Sequence, residues 1–137
     1  GYASAKLYQK DTCWLRIFSA IAFYESTFNP KATYLEATGR TSVGLFMMAA
    51  DHCPNAPTVD QLKDDSANMR CALPRMAFLI ARDHYLSGPG NLGAARYWSV
   101  LRAPYRFQNL YLGRREHILQ FTKNYAGFAP PSPYEIQ

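Results

Sequence analysis

The sequence predicts an all-α protein in a single domain, with at most a minor β element. Apolar residues recur at helical spacing along most of the 137-residue chain, and Gly, Pro and Asn interrupt them at intervals. No segment shows the alternation that is typical of a half-buried strand. The length fits one domain, since folding at this size buries roughly two-thirds of the surface that the unfolded chain exposes.

The first predicted helix runs from about Asp11 to Ser26. Its apolar side chains fall at helical spacing, at Trp14, Ile17, Phe18, Ile21 and Tyr24. Asp11 or Thr12 would cap its start. Asn29-Pro30 would end it, because the residue before a proline is disfavoured in the α region.

Four more helices are predicted, with loops between them. They cover residues 42–50 (brief), 66–85 (the longest), 92–101 and 110–125. Pro74 is compatible with the longest helix if that helix starts close to it or kinks there. The polar stretch 31–40 is predicted to be a loop, with a small β element between Thr33 and Ser42 as an open alternative. Residues 128–137 are proline-rich and are predicted to form an extended tail.

The composition narrows the classes of partner. A formal charge of +5 favours an anionic partner, yet no dense run of Lys and Arg is present, so nucleic acid is not predicted. No stretch of about 18 apolar residues is available to span a membrane. The abundant aromatic residues, ten Tyr, eight Phe and two Trp, suit a groove that stacks on sugar rings as well as a helical core.

Glu25 interrupts an apolar stripe of the first predicted helix. Trp14, Phe18 and Ile21 are spaced four and three apart, and the next position of that stripe, four further on, is Glu25. Burial disfavours the charged form of a carboxyl group, and the negative end of the helix dipole acts in the same direction. A general acid needs a carboxyl that keeps its proton near neutral pH. The alternative is a glutamate at the helix end that faces solvent.

Four segments resemble the soluble lytic transglycosylases, a family with the lysozyme-like fold of the goose-type lysozymes. Segment 22–32, AFYESTFNPKA, resembles the family's Glu-Ser-x-Phe-Asn-Pro-x-Ala signature. Segments 41–47 (TSVGLFM), 68–72 (NMRCA) and 95–98 (ARYW) resemble three further elements, in the family's order. The resemblance implies one lysozyme-like domain of six to eight helices over residues 1–137.

The resemblance also implies a reaction. Glu25 would protonate the β-1,4 glycosidic oxygen between N-acetylmuramic acid and N-acetylglucosamine in bacterial peptidoglycan. In a transglycosylase the same residue then directs the sugar's own 6-hydroxyl, whereas hydrolytic relatives deliver water. An inverting hydrolase uses a second carboxylate to activate that water, and the candidates are Glu36 and Asp51. Each has a plain alternative, a solvated loop glutamate and a helix-end or turn aspartate.

Further site residues follow from the same resemblance. Ser42 and the main chain of Gly44, Leu45 and Phe46 would line the cleft opposite Glu25, and Tyr97 would hydrogen-bond the carboxyl group or the substrate. The alternatives are a helix-capping serine, a turn glycine and a half-buried core tyrosine.

Two positions depart from the family pattern. Met47 stands where the family has a glutamine that contacts an N-acetylated sugar, and Trp98 stands where it has an asparagine. Both changes replace an amide with a large apolar group beside the predicted substrate site. We hypothesise that the cleft accepts altered glycan, such as de-N-acetylated peptidoglycan. Subfamily drift without a change of specificity is the alternative.

The cysteines and histidines receive structural roles. By resemblance, Cys53 and Cys71 are expected to form a disulfide, and Cys13 would be free and buried. No Cys or His pair has metal-ligand spacing, so neither a metal nor another cofactor is predicted. His52, His84 and His117 are far apart in sequence, so no catalytic histidine is predicted.

Two classes of function compete with catalysis. One is a non-catalytic cell-wall glycan-binding module on the same fold, and the other is a basic helical nucleic-acid binder. The intact motif around Glu25 favours the enzyme. A monomer in the periplasm or outside the cell is expected, because disulfides persist in oxidising compartments and peptidoglycan lies there. The sequence is compatible with both transglycosylation and hydrolysis.

Overall fold

The computed structural model describes residues 5–103 and 113–123. Within them the fold is mostly helical, as predicted, and it contains a small three-stranded antiparallel sheet where the sequence left a minor β element open. The elements are α1 Leu7–Ser26, α2 Asp65–Asp83, α3 Arg114–Lys123, β1 Thr33–Leu35, β2 Thr41–Val43 and β3 Met48–Ala49, together with five short 3₁₀ helices. The predicted count of six to eight helices stays a prediction, since three α-helices lie in these ranges.

The chain divides into two compact units, residues 22–77 and residues 1–21 with 78–137. The first unit contains the sheet, and its buried side chains include Val43, Met48, Leu62 and Met76. The core of the second unit includes Ile17, Leu86, Trp98, Leu101 and Ile118. The assignment of one domain to residues 1–137 stays a prediction.

Helix α1 starts at Leu7, four residues before the predicted start. Thr12 lies inside the helix, and its hydroxyl donates to the Tyr8 carbonyl at 2.7 Å instead of capping the N-terminus. The side chain of Gln9 caps that end, because its Oε1 accepts the Lys6 N–H at 2.9 Å. The predicted cap was therefore wrong because a glutamine side chain fulfils the same role one turn earlier.

The segment from Ser42 to Ala50 forms a hairpin and not the predicted brief helix. Its strands β2 and β3 pair with Ser42 opposite Ala49 and Val43 opposite Met48. The four-residue turn between them begins at Gly44 (φ +79°) and ends at Met47 (φ +48°). A short apolar run does not distinguish a buried strand from a buried helix, so the prediction had no periodicity to rely on. Strand β1 pairs with the other side of β2 and confirms the β alternative.

Helix α2 confirms the predicted long helix. Asp64 caps its start, since Oδ1 accepts the Ala67 N–H at 2.7 Å. The helix passes Pro74 well inside its length and ends where His84 adopts a φ of +61°. Of the two predicted ways to accommodate Pro74, a helix start close to it is wrong, because the helix begins at Asp65, nine residues earlier. The other, a kink at Pro74, stays a prediction.

The predicted helix 92–101 is replaced by two 3₁₀ helices, Gly93–Arg96 and Ser99–Leu101. Asp83 at the end of α2 accepts the Gly93 N–H at 2.8 Å and the Arg96 guanidinium at 2.5 Å. These bonds fix the start of the first 3₁₀ helix. Trp98 is extended (ψ 112°) and separates the two, so a continuous α-helix is interrupted.

Asp83 provides a prediction about acid stability. Hydrogen bonds from Arg96 and from the Gly93 N–H hold the pKa of Asp83 well below its ordinary value. A carboxyl with a depressed pKa in the folded state stabilises the fold above its unfolded pKa, near 3.8, and loses this contribution as pH falls further. We expect Asp83→Asn to lower Tm at pH 7, with the difference shrinking below pH 3.8. A constant difference in Tm from pH 7 to pH 2 would contradict this.

Helix α3 contributes a buried arginine to the second unit. The Arg115 Nε donates to the Ser87 hydroxyl at 2.7 Å, and that hydroxyl donates to the Leu101 carbonyl at 2.5 Å. The described helix, Arg114–Lys123, lies within the predicted 110–125. Residues 110–112 and 124–125 of that prediction, and the predicted tail 128–137, lie outside the described residues.

The cysteines have the predicted states. Cys53 and Cys71 form a disulfide with a Cα–Cα distance of 5.3 Å, and they are 18 positions apart. A loop of this size contributes about 3 kcal/mol in the chain-entropy view. Cys13 is free and buried, and burial raises the pKa of its thiol. A protonated, buried thiol is a poor nucleophile, which agrees with a structural role.

Candidate active site

Glu25 lies in the last turn of α1. The residue is partly exposed, while its Oε1 is withdrawn from solvent. A carboxyl group in this setting remains accessible to a ligand while one of its oxygens is withdrawn from solvent. The arrangement suits a group that donates a proton to a bound substrate.

The backbone after Glu25 takes an unusual course. Thr27 and Phe28 have φ values of +53° and +59°, and left-handed backbone costs about 1–2 kcal/mol per residue. Two main-chain bonds hold it there, from the Thr27 N–H to the Phe23 carbonyl (2.9 Å) and from the Phe28 N–H to the Ala22 carbonyl (3.4 Å). The helix is therefore closed by a defined and strained turn directly after Glu25.

Asn29 and Ser26 explain the rest of the Glu25 motif. The Asn29 Oδ1 accepts the Lys31 N–H at 2.9 Å, which turns the chain toward β1. The Ser26 hydroxyl lies 3.0 Å from the Ala22 carbonyl and 3.0 Å from the Leu45 carbonyl. Its proton thus links the end of α1 to the β2–β3 turn. Because Ser26 follows Glu25, this bond fixes the catalytic candidate relative to that turn.

Asn68 holds the β2–β3 turn from the other side. It is fully buried, its Oδ1 accepts the Phe46 N–H at 2.9 Å, and its Nδ2 donates to the carbonyls of Val43 (2.8 Å) and Leu62 (3.0 Å). The amide thus satisfies three main-chain groups of two segments. The sequence motif at residues 68–72 includes Asn68, but the sequence alone predicted no role for its side chain.

Gly44 is required by this arrangement. A Cβ at this position would lie 2.4 Å from Asn68 Nδ2 and 2.7 Å from the Leu62 carbonyl oxygen. The close approach at Gly44 is therefore made by Asn68 and by the Leu62 carbonyl. The predicted contact of the Gly44 main chain with substrate stays a prediction. Its positive φ also favours glycine over other residues.

Glu36 and Ser42 are brought together by the β1–β2 pairing. Glu36 directly follows β1, and its Oε1 accepts the hydroxyl of the buried Ser42 at 2.5 Å. Thr38 lies 3.4 Å from the other carboxylate oxygen. The Glu36 N–H also bonds the Arg40 carbonyl at 2.8 Å, which closes the connection to β2. The carboxylate is thus held by two hydroxyls and is not a freely solvated loop glutamate.

Asp51, the other candidate for a second carboxylate, has a different setting. It forms an ion pair with Arg40, with 2.8 Å between Nη2 and Oδ2. The next residue is His52, and burial lowers the pKa of its imidazole. The charges of Arg75 and Arg40 lower this pKa further, whereas those of Asp51 and Glu36 raise it. His52 is therefore predominantly neutral at pH 7. Because Asp51 is ion-paired with Arg40, Glu36 is the better candidate for the second carboxylate.

The remaining residues of the predicted cleft differ in how far they are exposed to solvent. Leu45 and Met47 are partly exposed, and the Leu45 carbonyl is bonded to Ser26. Phe46 is buried and its N–H is bound to Asn68, and the predicted contact of its main chain with substrate stays a prediction. Its side chain packs in the core, as the apolar character of the turn requires.

Tyr97 and Trp98 lie in the second unit. Their ring centroids are 4.8 Å apart, and Tyr97 is partly exposed. Trp98 is only 1% exposed, so its ring belongs to the core of this unit, and its predicted contact with substrate stays a prediction. The ring fills the core because the extended backbone at Trp98 turns it inward between two 3₁₀ helices. Of the two departures that suggested an altered glycan, only Met47 remains accessible.

Residues 5–103 and 113–123 contain no group of three His, Cys, Asp or Glu side chains that would hold a metal ion. In the same ranges, no helix is both long and apolar enough to cross a membrane.

Three solved structures resemble the chain. They are Bd0314 DslA in a wild-type form and in two mutants, each with a glutamate changed to glutamine. The wild-type form matches with a TM-score of 0.77 and 23% identity over 93% of this chain and 74% of the other. This chain shares their fold. No protein-family model and no curated protein sequence matches it.

Proposed function

We propose that this chain is a peptidoglycan glycosidase that cleaves the β-1,4 bond between N-acetylmuramic acid and N-acetylglucosamine, with Glu25 as its general acid. The soluble lytic transglycosylases and goose-type lysozymes are the family that its motifs resemble. The observation that carries the proposal is the setting of Glu25, with one oxygen withdrawn from solvent and the next residue bonded to the β2–β3 turn. No cofactor takes part.

The mutants among the similar structures offer a second line of support. The two DslA mutants alter glutamates at positions 143 and 154 of that protein, eleven residues apart. Glu25 and Glu36 have the same separation in this chain. The equal separation of the two pairs in a shared fold supports a role for both Glu25 and Glu36.

The setting of Glu36 favours hydrolysis over transglycosylation. The Ser42 hydroxyl and Thr38 orient the carboxylate, and an oriented carboxylate is what an inverting hydrolase uses to take a proton from the attacking water. In this scheme Glu25 donates its proton to the glycosidic oxygen, and Glu36 accepts the proton of the water. A transglycosylase has no need of the second group, because Glu25 itself would receive the proton of the 6-hydroxyl.

Digestion of purified cell wall tests the proposal directly. We expect soluble glycan fragments with free reducing ends, identified by mass spectrometry. Fragments with 1,6-anhydro ends would support cleavage of the glycosidic bond but would show transglycosylation and not hydrolysis. Retention on sedimented wall with no fragments released would instead support the alternative, a non-catalytic glycan-binding module.

Replacing the second carboxylate gives a prediction of its own. We expect Glu36→Gln to slow wall digestion by about 10²–10⁴-fold, the usual contribution of a general base. Added azide should restore cleavage in this variant, because azide attacks the anomeric carbon without losing a proton. Asp51→Asn is the matched control and should keep wild-type activity. If Asp51→Asn slowed wall digestion and Glu36→Gln did not, Asp51 would be the general base.

Substrate preference and location complete the proposal. Met47 in place of an amide favours glycan that lacks N-acetyl groups, and comparing turnover on acetylated and de-N-acetylated wall tests this. A strong preference for fully acetylated wall would refute it.

The disulfide supports a periplasmic or secreted protein. Peptidoglycan strands are the proposed partner of a monomer, with no role for nucleic acid.

A further inference from the structure

Strand β1 lies at the edge of the sheet formed by the described strands, and its unpaired side is called the open edge. The strand order is β1-β2-β3, so β1 has a partner on one side alone among the described strands. The Gly44 N–H bonds the Ala32 carbonyl, and the Glu36 N–H bonds the Arg40 carbonyl, each at 2.8 Å. Successive residues of an antiparallel strand direct their main-chain groups to opposite sides. The N–H and C=O groups of Thr33 and Leu35 therefore face the open edge.

The surroundings of this edge are accessible, and one lysine lies just before the strand. All three side chains of β1 are exposed, and Leu35 retains 68% of its surface. Lys31 precedes the strand, is exposed, and has no carboxylate within ion-pair distance in the described part of the chain. Glu36 follows the strand directly. The edge thus continues into the site proposed for catalysis.

We propose that the open edge of β1 binds the peptide attached to the muramic acid of peptidoglycan, which adds to the sheet as an extended strand. Main-chain bonds to an added strand are a common mode of peptide recognition. The carboxylates of such a peptide complement Lys31. The inference rests on the proposed function, because the glycan bound near Glu36 would bring the peptide to this edge.

A second copy of the chain fits this edge less well. The outward groups of two residues offer few hydrogen bonds, and a three-residue strand buries far less than the roughly 1,200 Å² of a stable interface. A peptide that is covalently attached to a bound glycan needs little affinity of its own, since its effective concentration at the edge is high. The short edge therefore suits a tethered ligand.

Leu35→Pro provides a selective test. Proline removes an N–H that faces outward, and it is tolerated at the open edge of a sheet. Leu35→Ala is the matched control, because it removes the side chain and keeps the N–H. If Leu35→Pro lowers Tm markedly, Thr33→Pro removes the other outward N–H in its place. Each variant is assayed on peptide-bearing glycan strands and on strands that an amidase has stripped of peptide.

We expect Leu35→Pro to lower kcat/KM about fivefold on the peptide-bearing strands, the effect of one hydrogen bond, and to leave the stripped strands unaffected. Leu35→Ala should match the wild type on both. An equal loss on both substrates, or no loss on either, would overturn the proposal. So would a concentration-dependent dimer that Leu35→Pro dissociates, because the edge would then belong to a second copy.

A direct binding measurement separates this inference from the glycosidase proposal. If the wild type cleaves neither substrate, the proposed function fails. A synthetic stem peptide is then titrated into labelled protein, with the amides of Thr33 and Leu35 followed by NMR. Shifts at these amides that exceed those at Tyr34 support the edge site, and their absence at millimolar peptide refutes it.

Discussion

Glu25→Gln is expected to reduce the digestion of cell wall by about 10²–10⁴-fold or more, with the fold and wall binding unchanged. Glutamine has the shape of glutamate and keeps its hydrogen-bonding capacity, yet it has no proton to give to the glycosidic oxygen. The setting of Glu25 at the end of α1 supports this assignment, since one oxygen is withdrawn from solvent while the residue remains partly exposed. The rate of release of soluble fragments from purified wall measures the effect.

The matched control for this variant is Glu116→Gln. Glu116 is an exposed glutamate of α3, and its substitution should leave the rate within about twofold of the wild type. Circular dichroism and sedimentation with insoluble wall verify that both variants fold and bind. Wall digestion by folded Glu25→Gln at the wild-type rate would refute the catalytic assignment.

Asn68→Ala is expected to lower the free energy of unfolding by about 3 kcal/mol, and Tm by about 10 °C. The buried Asn68 amide serves the Phe46 N–H and the carbonyls of Val43 and Leu62. Alanine would leave these groups without that partner, and a buried polar group without a partner costs about 1–3 kcal/mol. Thermal and denaturant unfolding measure the loss.

Met69→Ala is the matched control, since Met69 is the next residue of α2 and is exposed. Its effect should remain below about 0.5 kcal/mol. Because Asn68 also holds the turn that Ser26 contacts, wall digestion by Asn68→Ala should fall at temperatures at which the variant is still folded. A stability equal to that of Met69→Ala would contradict the role of Asn68 in holding the turn.

The candidate acid was accessible from sequence because its signal is local. Glu25 lies on a periodic apolar stripe, and the residues that follow it are typical of the end of a helix. The structure explains two of those residues, since Ser26 bonds the β2–β3 turn and Asn29 turns the chain toward β1. The disulfide was also anticipated, through the family resemblance of its cysteines.

The other outcomes have a different cause. The segment 42–50 was predicted to be helical because a short apolar run has no distinctive period, and pairing with β1 and α2 decides its form. Trp98 was predicted to contact substrate because the family that the chain resembles has an asparagine beside the substrate at this position. Its extended backbone places the ring inside.

The sequence alone determined the mostly helical class, the cysteine pair and the glutamate on which the proposed chemistry depends, because each rests on local spacing or on a recognisable motif. Only the tertiary structure decided that Ser42 holds Glu36, that Asn68 requires Gly44, and that β1 has an open edge. These are contacts between residues distant in sequence. They depend on strand register and on the burial of single polar groups, which no local pattern records.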